Sequence, residues 1–409
     1  MKNGMAGNDL GAMLRRARAA ACTAAATLLL GAAGPAATAL GAGTNADQAT
    51  RIYNRIAGLP PTPAQLASMI ATDPLSAAFI ATQDPAFYNN TIRNLAAPWT
   101  NRAQSVFVPL NDYIATVIGM VRDDVPFNTL LSADLVYVAG AGAGAPAYSA
   151  TNNDMYQSMD DKSVDLSSKA NLVPGSQSAL TGIPAAATAG VLTTRAAANA
   201  FFMDGTNRRM LRFTVMNHLC SDLQTVMDIT RPPDRIRQDV TRSPGGVSTL
   251  FLNNCVGCHS GMDPMAQAFA YYDYSHDVVA DPTGAAGRLV YTAGQVRPKY
   301  FINKYNFPEG FVTPDDGWIN RWRSGPNQIL GWGAGGGSGN GAKSLGVELE
   351  SSAAFASCQV TRVFKYVCLR APNSAADAAQ IASMIASFQS NQYKLRQPFA
   401  EAAAYCMGT

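Results

Sequence analysis

Apolar positions along this chain fall mostly at intervals of three and four, the spacing of one helix face. Ile52, Tyr53 and Ile56 keep that spacing before a break at Gly58 and Pro60-Pro61. Thr62 then predicts a helix start. Pro63 suits the first turn, Gln65 completes a capping box, and Leu66, Met69 and Ile70 form the apolar stripe. Asp73-Pro74 and Asp84-Pro85 predict two further starts. The clearest amphipathic helix of this half follows Leu110, Tyr113, Ile114, Val117, Ile118 and Val121, ending at Asp123-Asp124. Met69 and Met120 fit core filling.

Residues 41–138 therefore read as a helical N-terminal module. The alternating glycines from Ala139 to Pro146, then Asn152, Asn153, Asp154, Asp160 and Asp161, predict a linker or long surface loop over 139–190. Calcium coordination would need a twelve-residue loop closed by a glutamate, and no such pattern occurs there. Regular structure resumes near Leu192. Met210, Leu211, Phe213, Val215, Met216 and Leu219 predict a buried helix carrying His218 and Cys220. A domain over 191–342 closes in a loose tract from Gly331 to Gly341, seven of whose eleven residues are glycine. Helical patterns over 345–369, 375–388 and 395–407 predict a three-helix tail within a C-terminal module, 343–409. The fold class is mainly α, without a repeat of fixed period.

The first forty residues read as a signal peptide. Arg15, Arg16 and Arg18 precede an alanine-rich run through Leu28, Leu29 and Leu30, with a small-residue site at Ala37-Thr38-Ala39. The apolar core is too short to span a bilayer and is interrupted by Gly34 and Pro35. Export to the periplasm or beyond follows, and no later stretch reads as a transmembrane segment. The chain has 31 basic and 28 acidic residues. Removing the leader takes away four basic residues and one acidic, leaving 27 of each. A neutral mature chain gives no electrostatic case for binding nucleic acid.

One string changes the picture. Cys255-Val256-Gly257-Cys258-His259 is the attachment signature of a c-type haem. Two thiols at that spacing add across the vinyl groups on one porphyrin edge, and the following imidazole reaches the iron as proximal ligand. At this content of cysteine and histidine the string arises by chance in about one chain in a thousand. Zinc would want a second ligand pair, and a redox dithiol would sit in a βαβ pattern; neither is present. The aromatic group Phe269, Tyr271, Tyr272 and Tyr274 follows the motif. Such side chains wall a haem from water.

The stretch Cys255-Val-Gly-Cys-His259, continued by Met262-Asp263-Pro264 and Ala268-Phe269, resembles the haem segment of large secreted cytochromes first noticed in planctomycetes. Asp124 to Asp134 is similar to the helical module upstream of their haem, Gly190-Val-Leu-Thr193 to a Gly-Leu-Leu-Thr string before it, and Phe355 to Tyr366 to their C-terminal helical module. The family segment ahead of the haem is usually proline-rich, whereas only Pro232-Pro233 stands here. The resemblance implies one covalent haem c in a cytochrome-c-like domain between two helical modules.

Three functions are compatible with that site. The first is an exported monohaem cytochrome passing single electrons between extracytoplasmic redox partner proteins. The second is a haem enzyme with an open sixth position, peroxidase-like. The third is a haem-stabilised subunit of a larger exported complex. The sixth ligand stays open between His276, His218 and a methionine. Met262 and Met265 lie too close in sequence to His259 to pass round the porphyrin, so Met262-Asp263-Pro264 is expected as a turn with Pro264 beginning the next helix. Four cysteines remain, and an even number in an exported chain predicts two disulfides. A helix over 352–369 would hold Cys358 and Cys368 about 15 Å apart, beyond the reach of a bridge. An up-down-up tail then pairs Cys368 with Cys406, leaving Cys220 with Cys358.

Overall fold

The computed structural model describes residues 44–408, so the expected signal peptide lies outside the described residues. The protein is mainly helical, with three short antiparallel strand pairs. Capping sets the first helices. α1 (Ala46–Ala57) opens on an Asn45–Gln48 capping box and stops at Gly58, whose φ of 76° favours glycine. α2 (Pro63–Ile70) opens on the Thr62–Gln65 box. α3 (Pro74–Ala81) opens on Asp73, whose carboxylate accepts the amides of Leu75 and Ser76. Asp84 likewise accepts the amide of Ala86, at 2.8 Å. The run beyond it holds a widened turn, Phe87–Ile92, and the short α4 (Arg93–Ala96).

α5 (Asp112–Arg122) departs from the expected amphipathic form, because all its residues are buried. Its polar positions tolerate burial because each is paired. Asp112 accepts the amides of Tyr113 and Ala196, both at 3.0 Å. Thr116 accepts the amide of Tyr137 at 3.1 Å, and Arg122 donates to the carbonyls of Leu166 and Ser168.

The stretch 139–190, expected as linker or loop, carries structure of its own. β1 (Val136–Ala139) pairs with β2 (Leu172–Gly175), Val136 facing Gly175. α6 (Asp154–Asp161) packs beside them through the Tyr156 hydroxyl, which donates to the carbonyl of Tyr137 at 2.8 Å. α7 (Gln177–Thr181) follows. The glycines here serve close approach: a Cβ at Gly140 would lie 2.3 Å from the carbonyl oxygen of Ala170.

The middle of the chain forms α8 (Arg195–Phe201), α9 (Arg208–His218), the short α10 (Ser248–Leu250) and α11 (Val256–Ala266). α9 packs along α11. β3 (Tyr272–Ser275) pairs with β4 (Arg288–Tyr291), and β5 (Gly317–Ile319) with β6 (Ser338–Asn340). The tail comprises α12 (Gly341–Glu350), α13 (Ala353–Cys368), α14 (Ala375–Ser390) and α15 (Arg396–Tyr405). The helix expected over 345–369 is broken at Ser351-Ser352, where Ser352 caps α13 by accepting the amide of Phe355.

Tail and N-terminal helices share one core within a single compact unit. Phe399 of α15 meets Phe87 edge-on at 5.0 Å, and Arg55 of α1 donates to the carbonyl of Val367 at 2.9 Å. Both expected disulfides are present. Cα separations are 5.3 Å for Cys220–Cys358 and 5.5 Å for Cys368–Cys406.

Candidate functional site

Helix α11 begins inside the cysteine–histidine motif. A widened turn over Phe251–Cys255 precedes it, and Cys258 and His259 stand in its first turn. Such turns recur at functional sites. Positions i, i+3 and i+4 share one helix face, so both thiols and the imidazole project from the same side. Gly257 is required by close packing: a Cβ there would lie 2.4 Å from Cγ of Met227.

Cys255 and Cys258 are unpaired, while the other four cysteines of the described residues are bridged. The Sγ–H of Cys258 donates to the carbonyl of Leu223 at 3.6 Å. Burial, followed by the carboxylate of Asp222 and the neighbouring Cys255, pushes this thiol up, with Arg212 opposing. Among the described residues no three His, Cys, Asp or Glu side chains gather to hold a metal ion by themselves.

His259 is held from the far side. Its Nδ1 lies 3.1 Å from Oδ1 of Asp263, one turn on and fully buried. Nε and Nη2 of Arg208 donate to the two oxygens of Asp263 at 2.6 and 2.8 Å. The amide of Arg237 adds a third bond at 3.3 Å, and Nη2 of Arg208 also reaches Asp239 at 2.8 Å. Burial alone would raise the Asp263 carboxyl, but the Arg208 guanidinium, then His259, hold it well below the usual carboxylate range. A carboxylate only accepts, so Nδ1 of His259 donates to it, and Nε2 is the ring nitrogen turned to any other partner. An imidazole that donates Nδ1–H in this way presents Nε2 for ligation.

Asp263 also corrects the sequence reading. Met262-Asp263-Pro264 is not a turn, and Pro264 does not begin a helix; all three belong to α11. Only two α-helical residues follow Pro264 before a 3-10 turn over Gln267–Phe269, so its missing N–H forfeits a single bond near the end of α11. With the helix unbroken, the i, i+4 spacing of His259 and Asp263 is the signal that a sequence carries. Arg208 lies 55 residues before Asp263 and leaves no comparable trace.

Apolar side chains crowd the surface beside the motif. Met227, Ile229, Val247, Leu250 and Leu252 are all exposed, from 44% to 60%. Ile236, Phe251 and Val256 make a small apolar cluster against which Cys255 packs. An attached, flat and largely apolar macrocycle would cover such a surface. These thiols, this tautomer and this surroundings fit a covalent haem.

The remaining candidates are dispersed. His218 is enclosed in the core, its Nε2 at 2.7 Å from the hydroxyl of Tyr113 and its ring against Trp99 and Phe355. Nδ1 of His276 bonds the carbonyl of Asp281 at 2.9 Å, beside a cavity of about 470 Å³ lined also by Asp273, Arg297 and Lys299. Met262 and Met265 are core residues. The expected aromatic wall instead joins the core: Tyr272 lies 4.9 Å from Tyr291 and 5.8 Å from Phe202. A cavity of about 780 Å³ is lined by the Cys220–Cys358 bridge, Ile329, Arg362 and Asp222, but by none of Cys255, Cys258 and His259. That cavity borders the α11 motif through Asp222.

The segments Asp124–Asp134, Gly190–Thr193 and Phe355–Tyr366 meet in space. The amides of Gly190 and Val191 donate to the carbonyls of Ala133 and Leu130, and Phe127 lies 6.4 Å from Phe355. Among the described residues no helix is long and apolar enough to cross a membrane. No family model, curated protein or solved structure matches the chain.

Proposed function

We propose that this protein is an exported monohaem c-type cytochrome that passes single electrons between extracytoplasmic redox proteins, built on a cytochrome-c-like segment of the planctomycete type. The observation that carries the reading is one helix face bearing two unpaired thiols and an imidazole whose Nε2 is left free. Cys255 and Cys258 would hold the macrocycle as thioethers, and His259 would ligate its iron. Bound there, haem supplies a one-electron couple. The chain's own residues orient the imidazole through Asp263 and offer an apolar flank to the macrocycle at Met227, Ile229 and Leu252. The two disulfides are compatible with an oxidising compartment outside the cytoplasm.

The test is expression with a haem-attachment system, followed by acid-acetone extraction and spectroscopy. Haem should stay with the protein, and Cys258→Ala should yield apoprotein or a markedly less stable product. Haem freed from the wild type by acid acetone overturns the reading. A low-spin ferric spectrum that ignores cyanide supports electron transfer. A high-spin form that takes cyanide up replaces it with the enzyme reading.

A further inference from the structure

We propose that Asp263 is a positioning residue for His259, fixing its tautomer and lending the ligand anionic character that lowers the reduction potential of the site; this rests on the covalent-haem reading. Asp263 Oδ1 is shared between Nδ1 of His259, at 3.1 Å, and Nε of Arg208, at 2.6 Å. Its carboxylate is wholly buried, so water does not compete for the bond. Arg208, half-buried, is itself divided between Asp263 and Asp239. Arg237 Nε lies 4.0 Å from Oδ1 of Asp239, so two guanidiniums balance the two carboxylates, and Oδ1 of Asp263 is the charged atom in contact with His259. A histidine that donates Nδ1–H to a carboxylate becomes a more basic ligand at Nε2. A more basic, more negative ligand favours ferric over ferrous iron.

The arrangement is specific to this helix. The carboxylate is reached only because α11 continues through Pro264, which places residue 263 one turn from residue 259. Arg237 strengthens the fixture from the other flank, through its amide to Oδ2 of Asp263 and its guanidinium to the carbonyl of Thr206 at 3.0 Å. The carboxylate is thus gripped by the two arginine segments and has one direction left in which to accept a bond.

Asp263→Asn in the haem-loaded full chain tests the proposal by redox titration and by the proton resonance of His259 Nδ1–H. The variant keeps size and one acceptor oxygen but removes the charge. At least a tenfold shift of the redox equilibrium toward ferrous iron is expected, about 59 mV upward for a one-electron couple. The Nδ1 proton should move upfield, and Asp263→Glu should restore much of both. A residue that only packs moves neither, and an unchanged potential with haem still attached overturns the proposal. If Asp263→Asn does not accumulate, the wild type decides: an Nδ1 proton protected from exchange supports the bond, and one exchanging freely with solvent overturns it. Wild type lacking covalent haem overturns the functional reading itself, a separate result seen on a denaturing gel stained for haem.

Discussion

The carboxylate of Glu350, at the end of α12, accepts the backbone amide of Leu131 at 2.9 Å and has no cation beside it among the described residues. Its second oxygen meets the hydroxyl of Ser132. Burial raises this carboxyl to about 8, with Ser132 and Leu131 opposing. The group is therefore protonated in the folded protein at neutral pH and ionised in the unfolded chain, whose value is near 4.5. Folding takes up a proton across that interval, so stability falls as pH rises from 4.5 to 8. The loss is on the order of 4 kcal/mol by pH 8. Glu350→Gln keeps an acceptor for Leu131 and a donor for Ser132, and it should be more stable than wild type at pH 8–9. Urea unfolding at pH 6 and pH 9 measures this, and an equal pH response in both proteins would refute it.

Gly190 and Gly182 both lie in the left-handed region, at φ 51° and 75°. They differ in space. A Cβ at Gly190 would lie 1.9 Å from the carbonyl oxygen of Leu130, whereas at Gly182 nothing stands within 4 Å. Gly182→Ala should cost about 1–2 kcal/mol, the strain of the backbone alone. Gly190→Ala must also displace a segment that bonds Val191 to Leu130, and it should cost more than about 3 kcal/mol. Denaturant midpoints of the two variants rank them.

The bridges close loops of different length, 138 residues for Cys220–Cys358 and 38 for Cys368–Cys406. Chain entropy gives about 5 and about 4 kcal/mol respectively, with measured values commonly lower. Cys358→Ser with Cys220→Ser should therefore destabilise more than the pair removing Cys368–Cys406. Non-reducing peptide mapping of the wild type should recover these two pairs, with Cys255 and Cys258 in neither.

That pairing was legible because it needs only helix rise and alternating direction, and α13, α14 and α15 supply both. The helix starts at Thr62 and Asp73 were legible for the same reason: a cap is a local event, settled within three residues. The glycine run at 139–146 was not. Glycine tolerates both slack and tight packing, and only the position of Ala170 decides between them. α5 misled in another way, since its polar residues find partners more than twenty positions away, at Tyr137, Leu166 and Ala196. At the candidate site the thiols and imidazole could be read from spacing alone. Their support could not, because Arg208 reaches Asp263 only through the packing of α9 on α11, and Asp239 meets Arg208 only from the 234–239 loop.

His218 should produce the opposite pH response to Glu350. It lies in the core with Nε2 against Tyr113 and with no partner for Nδ1. Burial, then the nearby Arg362, hold its imidazole well below 6.5. The folded protein keeps it neutral while the unfolded chain protonates it, so its contribution is complete above pH 6.5 and is lost as pH falls below that value. The slope is about 1.4 kcal/mol per pH unit. Between pH 4.5 and 6.5 the two groups oppose each other: lowering pH strengthens the Glu350 side and weakens the His218 side. Wild-type stability should consequently change less just below pH 6.5 than in either variant, and decline above pH 6.5. Glu350→Gln removes one arm, so its stability should fall on acidification below pH 6.5. His218→Gln removes the other, so in that variant stability should rise over the same interval. Unfolding curves at pH 5, 6 and 7 for the three proteins separate the arms, and a variant pair with parallel profiles would show that neither group titrates between the folded and unfolded states.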